Sequence, residues 1–370
     1  MFGYGVAMTS TGRRTGSASL PLHGGKAPAW LFGRMVRLSR AILEHMAGEH
    51  GPDEVLRRLS DPFWFQALGC ALGFDWHSSG VTTTTCGALK EAVRGNEATF
   101  GLWVAGGKGR TSRLAPSEIM AACDTTGRDG NALARASRIA AKVDNTAVQS
   151  GHQLYHHSFF LTESGGWAVV QQGMRPSDRT ARRFHWLGEQ VESFVDEPHA
   201  AVCADSRGED VLNLVATESA DARDRIAELA RATPPDNAEK LLELPRRHPL
   251  IATADIQPRH LKKVLLSTYA DPPEDFEALL GVQGLGPKTL RALALVAELV
   301  YGTPASTRDP ARFAFAHGGK DGTPYPVDRE TYDRTIETME TALRGPKVDR
   351  SERVAALNRL TRLRDRAVEA

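Results

Sequence analysis

YHHSFFLTESGGWAVVQQGM, Tyr155 to Met174, reads as two β-rich runs folded about the turn Glu163-Ser164-Gly165-Gly166. Successive side chains on a strand point to opposite faces, so His156 and His157 are split, and so are Gln171 and Gln172. Upstream, TFGLWVAGG (Thr99–Gly107) is a strand running into glycines, and GYGVAMT (Gly3–Thr9) alternates like another. Around these runs lie helical patterns. In Ala27–Gly51, Leu31, Met35, Leu38, Ile42 and Met46 recur at helical spacing, and Asp61-Pro62 is a helix entry. ARRFHWLGEQVESFV (Ala181–Val195) is read as a return to helix. A hairpin embedded among helices gives a first half of mixed α and β character.

From about 205 onward the periodicity is almost wholly helical. DARDRIAELARA, NAEKLLELP, PRHLKKVLL, PEDFEALL and KTLRALALVAELVYG repeat every 3.6 residues, with Pro, Asp or Gly at their edges. VDRETYDRTIETMETAL is a further helix, with Asp328 as its N-cap. The expectation is an α+β protein: a mixed α/β domain over residues 1–203 that holds the chemistry, a helical domain over 204–345, and a basic C-terminal helix over 346–370.

The chain has 370 residues, 41% hydrophobic and 25% charged, as in an ordinary soluble protein. Lys plus Arg is 46 against 45 for Asp plus Glu, so any nucleic-acid surface must be a local patch. Cys70, Cys86, Cys123 and Cys203 form no CxxC and no metal-ligand spacing. They read as reduced thiols, which suggests the cytosol. No apolar run approaches the roughly 20 residues of a membrane span. Arg13-Arg14 is not followed by an apolar stretch, so no secretory signal is expected. These readings point to a cytoplasmic location without membrane contact.

The most specific local motif is GVQGLGPKTL, Gly281 to Leu290. It fits a helix–hairpin–helix. PEDFEALL is the first helix, Gly284 and Gly286 permit the tight turn, Leu285 plugs between the helices, and Pro287 opens the second. The hairpin and the second helix's N-terminus then aim backbone N–H groups at an anion. Lys288, Thr289 and Arg291 flank that spot. Such contacts reach phosphate and read no sequence.

The polar residues of the first half form a second constellation. His23 and Lys26 lie in HGGK, a tetrapeptide that recurs at His317–Lys320. Asp75 and His77 lie in GFDWHSSG, Lys142 and Asp144 in AKVDN, and His156 and Gln171 on the hairpin. Lys108 and Arg110 follow a glycine turn, and Arg183 stands in RRFHW. Phosphodiester hydrolysis needs a base, an acid for the leaving oxygen, and cations around phosphate. The expected catalytic set is His23, Lys26, Asp75, His77, Lys142, Asp144, His156 and Gln171. The expected DNA-binding set is Gly284, Gly286, Lys288, Thr289, Arg291, Lys108, Arg110 and Arg183. Mg²⁺ or Mn²⁺ is the cofactor such chemistry would use. No Walker loop or dinucleotide fingerprint is present, so no nucleotide cofactor is expected.

Residues 274 to 302 resemble the helix–hairpin–helix proteins of DNA repair, most closely the endonuclease III-type DNA glycosylases. The resemblance implies double-stranded or structured DNA as partner. It also implies an alternative chemistry, in which Lys288 is the nucleophile of a glycosylase or AP lyase and Asp328, in PVDRETYD, its essential carboxylate. The iron–sulfur cysteines of that family have no counterpart, so no cluster is expected. Most of residues 10 to 335 also resemble the family known as domain of unknown function 763. TGSASLPLHGGKAPAWLF, GFDWHSSGVTTT, VAGGKGRTSR, AKVDN, YHHSFF, WAVVQQGM and HGGKDGTPYPVDR carry that likeness, which implies one integrated architecture. The leading expectation is a DNA-processing nuclease. A glycosylase or lyase, and a non-enzymatic binder of DNA ends or junctions, stand as alternatives.

Overall fold

The computed structural model describes residues 27–74, 79–204, 211–232, 258–311, 337, 339–341, 343, 344 and 350–368. Strand β1 (Leu102–Lys108), β2 (Val148–Gln149), β3 (Gln153–Thr162), β4 (Trp167–Arg175), β5 (Thr180–Leu187), β6 (Ala201–Ala204) and β7 (Leu212–Asn213) form two sheets. The main one is antiparallel in the order β1-β3-β4-β5-β6, and β2 pairs with β7. The helices are α1 (Ala29–His50), α2 (Pro52–Ser60), α3 (Pro62–Ala71), α4 (Gly80–Val93), α5 (Glu97–Phe100), α6 (Ala115–Thr126), α7 (Gly130–Lys142), α8 (Ala220–Ala232), α9 (Pro258–Ala270), α10 (Phe276–Gly281), α11 (Pro287–Tyr301) and α12 (Arg350–Val368). The fold class is α+β.

The hairpin decides the layering. β3 and β4 pair Phe159 with Val169 and Phe160 with Ala168, so each strand offers apolar groups to both faces. Phe159, Leu161, Val169, Phe184 and Trp186 pack with α6, α7, α8, α10 and α11. Phe160, Ala168, Val170 and Leu187 pack with α1, α2, α3, α4 and α12. The main sheet is thus the middle of three layers. The first of these hydrophobic clusters runs unbroken from strand residues into the helices after residue 204.

Burial on both faces explains a correction. Ala181–Leu187, expected to open a helix, is most of β5. Its neighbours β4 and β6 cover its two edges and helices cover its two faces, so it shows no clean polar–apolar alternation. Arg182 and Arg183 are 1% and 0% exposed. Arg182 pairs with Asp309 at 2.7 Å, inside the protein.

Helix ends follow local chemistry. Asp61 caps α3, accepting from Phe63 N at 2.8 Å. Asp275 caps α10, accepting from Ala278 N at 2.7 Å. Pro287 opens α11, and Gly302 at φ 67° closes it. The run after Ser79 is helix α4. Among the described residues no helix is long and apolar enough to cross a membrane.

Candidate functional site

The end of α7 organises the site. After Lys142 the helix widens into a π-type turn, Val143–Ala147, which carries Asp144 inward to 1% exposure. Three donors converge on this carboxylate. Trp186 Nε1 donates to Oδ2 at 2.9 Å, Gln171 Nε2 donates to the same oxygen, and His199 Nε2 lies in hydrogen-bond contact with Oδ1. Gln171 Nε2 also donates to the carbonyl of Ala140 at 3.1 Å.

Those two acceptors orient the Gln171 amide, leaving Oε1 to face His157 Nδ1 at 2.7 Å. An amide oxygen only accepts, so His157 carries its proton on Nδ1. Its Nε2 then presents a lone pair to Ser137 Oγ, 2.9 Å away on α7, and the serine hydroxyl donates. The result is a directed chain, Ser137–His157–Gln171–Asp144. Burial lowers the pKa of His157, opposed by the Gln171 hydrogen bond and the charge of Asp144. The imidazole is therefore neutral at neutral pH and able to accept a proton.

Ser137 and His157 border a cavity of about 980 Å³. The turn between α10 and α11 forms the facing wall. Gly284, at φ 88°, is exposed and occupies a conformation that L side chains adopt only under strain. Leu285 is 1% exposed and plugs the turn into the core. The Leu285 carbonyl accepts from Lys142 Nζ at 2.7 Å, and the Pro287 carbonyl accepts from Gln149 Nε2 at 2.8 Å. Two side chains of the α7–β2 segment thus hold the turn against the sheet domain. Burial lowers the pKa of Lys142. Arg113, Arg135 and Arg138 border the same cavity, against the acids Asp271 and Glu277. Glu277 is engaged by Arg135 at 2.6 Å. The local balance is more basic than that of the whole chain.

Of the expected catalytic residues, Lys142, Asp144 and Gln171 come together here. His156 borders the same cavity but is not hydrogen-bonded into the chain. Its Nε2 lies 3.2 Å from Ser158 Oγ, and burial pushes its pKa down to about 3. The histidine in the chain is its neighbour, His157. His23, Lys26, Asp75, His77 and Asp328 lie outside the described residues.

The expected DNA contacts divide as well. Gly284 and Lys288 are exposed and Gly286 half-buried on the turn, and Lys108 and Arg110 are exposed at the end of β1. Lys108 Nζ sits 5.9 Å from the centre of the Tyr155 ring. Thr289 is buried. Arg291 is directed inward to Gln149 Oε1 at 2.8 Å. Arg183 is a correction: it lies under α3 and α4, 4.7 Å from the centre of the Phe65 ring, where no duplex reaches.

Ser137, Trp186 and His199 were not singled out from the sequence. Ser137 had a weak signal. In ALARASRIAAKVDN it stands three residues before Ala140 and seven before Asp144, on one helical face.

The chain belongs to the family described as Protein of unknown function (DUF763). Its sequence profile matches residues 16–327. Comparison with curated proteins and with solved structures gives no match. The match runs from the amino-terminal glycine segment through the sheet, the cavity and the glycine turn, so the site lies within what defines the family.

Divalent metal was expected here. Among the described residues no three of His, Cys, Asp or Glu gather closely enough to hold an ion. Asp144 is ill suited as a ligand, because protein donors occupy both its oxygens. The turn and the basic side chains suit an anion.

Proposed function

We propose that this protein is a DNA-processing enzyme that hydrolyses phosphodiester bonds in the cavity between α7 and the glycine turn. One observation carries the reading: a neutral, oriented imidazole and a glycine turn at a helix N-terminus face each other across one basic cavity. The turn fits the helix–hairpin–helix pattern, in which exposed backbone N–H groups and the positive end of α11 hold a phosphate. His157 accepts the proton of the attacking oxygen and returns it to the leaving oxygen. Arg113, Arg138 and Lys142 offset the charge that builds on the phosphoryl oxygens. Mg²⁺ or Mn²⁺, if used, would need ligands from outside the described residues, and it would supply Lewis-acid stabilisation of the same oxygens.

The alternative base-excision chemistry at Lys288 draws less support. Lys288 is exposed and is not among the residues that border the cavity. A Schiff-base lysine works through its neutral amine, which burial favours.

The test uses the full chain with undamaged, forked, uracil-containing and abasic duplexes, with and without Mg²⁺ or Mn²⁺. The expected result is cutting of undamaged or forked DNA, reduced at least ~100-fold in His157→Ala, the scale of general-base loss. Steeply salt-dependent binding without product from any duplex would instead establish a binder. Cutting confined to abasic DNA, with borohydride trapping lost in Lys288→Ala, would establish the lyase.

A further inference from the structure

We propose that Ser137 is the nucleophile of this site, with His157 as its base, and that it forms a covalent phosphoseryl intermediate with the substrate strand. The second half of this statement rests on the phosphodiester reading above. The first half rests on geometry alone.

Three features set Ser137 apart among the described hydroxyls. Its Oγ lies 2.9 Å from an imidazole nitrogen whose lone pair faces it, because the opposite ring nitrogen is held by an amide oxygen. That amide is itself oriented by a carbonyl and a buried carboxylate. The serine also borders the cavity, where an electrophile can be held, though it is only 2% exposed. A hydroxyl, a base within hydrogen-bond reach and a third group orienting the base are the recurring parts of an activated nucleophile. Here the orienting group is an amide backed by an acid.

The step balances without an outside reagent. Ser137 Oγ attacks phosphorus and its proton passes to His157 Nε2. The bond from phosphorus to the leaving strand oxygen breaks, and that oxygen takes the proton from His157. The strand then ends in a hydroxyl and its other part is esterified to Ser137. A water molecule, deprotonated by the same imidazole, attacks phosphorus, and the serine oxygen leaves and is reprotonated. The net reaction is hydrolysis.

The experiment is labelling of the full-length protein with diisopropyl fluorophosphate in the absence of nucleic acid, read by peptide mass spectrometry. Serine oxygen displaces fluoride from phosphorus, so the probe reports an activated hydroxyl whatever the natural substrate. The expected result is a single diisopropylphosphoryl group on Ser137, absent in Ser137→Ala and formed at least ~100-fold more slowly in His157→Asn. The labelling rate should hold down to below pH 6.5, the ordinary imidazole value, and fall only in more acidic solution. Circular dichroism of each variant checks that it is folded. No label on Ser137 across the pH range, or an unchanged rate in folded His157→Asn, overturns the assignment. A parallel arm mixes the protein with end-labelled duplex and looks for a denaturant-stable protein–DNA adduct. Labelled Ser137 with no adduct and no cutting keeps the nucleophile and overturns the phosphodiester substrate. Cutting that persists in Ser137→Ala keeps the substrate and overturns the nucleophile.

Discussion

On one face of the main sheet, His157, Gln171 and Trp186 lead to Asp144, and the chain of hydrogen bonds ends at a hydroxyl beside open space. On the other face, His185 and Gln172 again supply a histidine and a glutamine, and with Arg183 they end in backbone and core. His185 Nδ1 donates to the Leu59 carbonyl at 2.9 Å, Gln172 Nε2 to the Ser79 carbonyl at 2.9 Å, and Arg183 Nη1 to Gln66 Oε1 at 3.2 Å. Adjacent residues of β4 feed the two networks, Gln171 the first and Gln172 the second. Residue type therefore does not distinguish a reactive chain from a structural one. The difference is the terminus. A network that ends at a cavity can pass a proton to a ligand, whereas one that ends at carbonyl oxygens can only hold elements in register.

The sharpest way to break this contrast is to remove one anchor from each face. Asp144→Ala leaves Gln171, Trp186 and His199 without their buried acceptor. At about 1–3 kcal/mol for each stranded donor, the loss should reach ~3 kcal/mol or more. DNA cutting should vanish with it. Gln66→Ala removes an acceptor from Arg183 and should cost about 1–3 kcal/mol while leaving activity in the folded fraction intact. Urea unfolding at pH 7 reads both losses. A folded Gln66→Ala protein that no longer cuts DNA would show the second face to be functional too.

The contrast was only partly legible in the sequence. Lys142, Asp144 and Gln171 stood out because charged and amide groups beside a strand or glycine segment are unusual. Period-2 alternation said that one of His156 and His157 faces a given side, but not which. That depends on the register shift between Leu154 and His156, a tertiary feature. Ser137 was hidden among alanines, where a small residue on an amphipathic helix reads as packing. Arg183 misled because an arginine in a short segment suggests solvent, whereas β5 is walled in by sheet and helices. The turn at Gly284–Gly286 was the most readable part, since its glycines, its buried Leu285 and its Pro287 helix start are all local signals.

Acid should act on both faces by a smaller margin, through their buried histidines. Burial lowers the pKa of His156 to about 3, and of His152, near the start of β3, to about 4. A histidine whose folded pKa lies below its unfolded value of ~6.5 binds more protons unfolded, so stability rises with pH there. Its contribution is complete above about pH 6.5 and is lost as the pH falls toward the folded value, at up to ~1.4 kcal/mol per pH unit for each group. Urea midpoints measured at pH 7.5 and pH 5 should therefore fall, and His156→Gln should flatten the slope. An unchanged slope would show that His156 is not held neutral in the core.

Backbone strain supplies a comparison between the turn and the sheet. Gly284 at φ 88° has open space where a Cβ would sit, with its nearest neighbour Val264 at 3.9 Å. Alanine at this position meets no clash and bears only the cost of the left-handed region, about 1–2 kcal/mol. Gly284→Ala should lose roughly that much stability and weaken DNA binding, because the N–H groups of the turn lose their alignment. Labelling of Ser137 by the fluorophosphate should be unchanged, since the serine lies on α7. A parallel fall in labelling would join the two walls of the cavity into one unit.

The smallest effect separates two lysines at that turn, one reaching it from α7 and one on α11. Lys142 is half-buried, with Nζ on the Leu285 carbonyl at 2.7 Å, and Lys288 is exposed one residue beyond Pro287. If Lys288 meets a phosphate, Lys288→Ala should weaken binding equally across sequences and lower the slope of log K against log salt by about 1, with no change in unfolding. Lys142→Met should cost about 1 kcal/mol from the lost hydrogen bond. It should leave the salt slope nearer the wild-type value, because a cation already committed to a carbonyl releases fewer counterions when DNA binds. Fluorescence anisotropy over a salt series measures both variants. An unchanged slope in Lys288→Ala together with a reduced one in Lys142→Met would invert the assignment, giving the counterion-releasing backbone contact to Lys142 in place of Lys288.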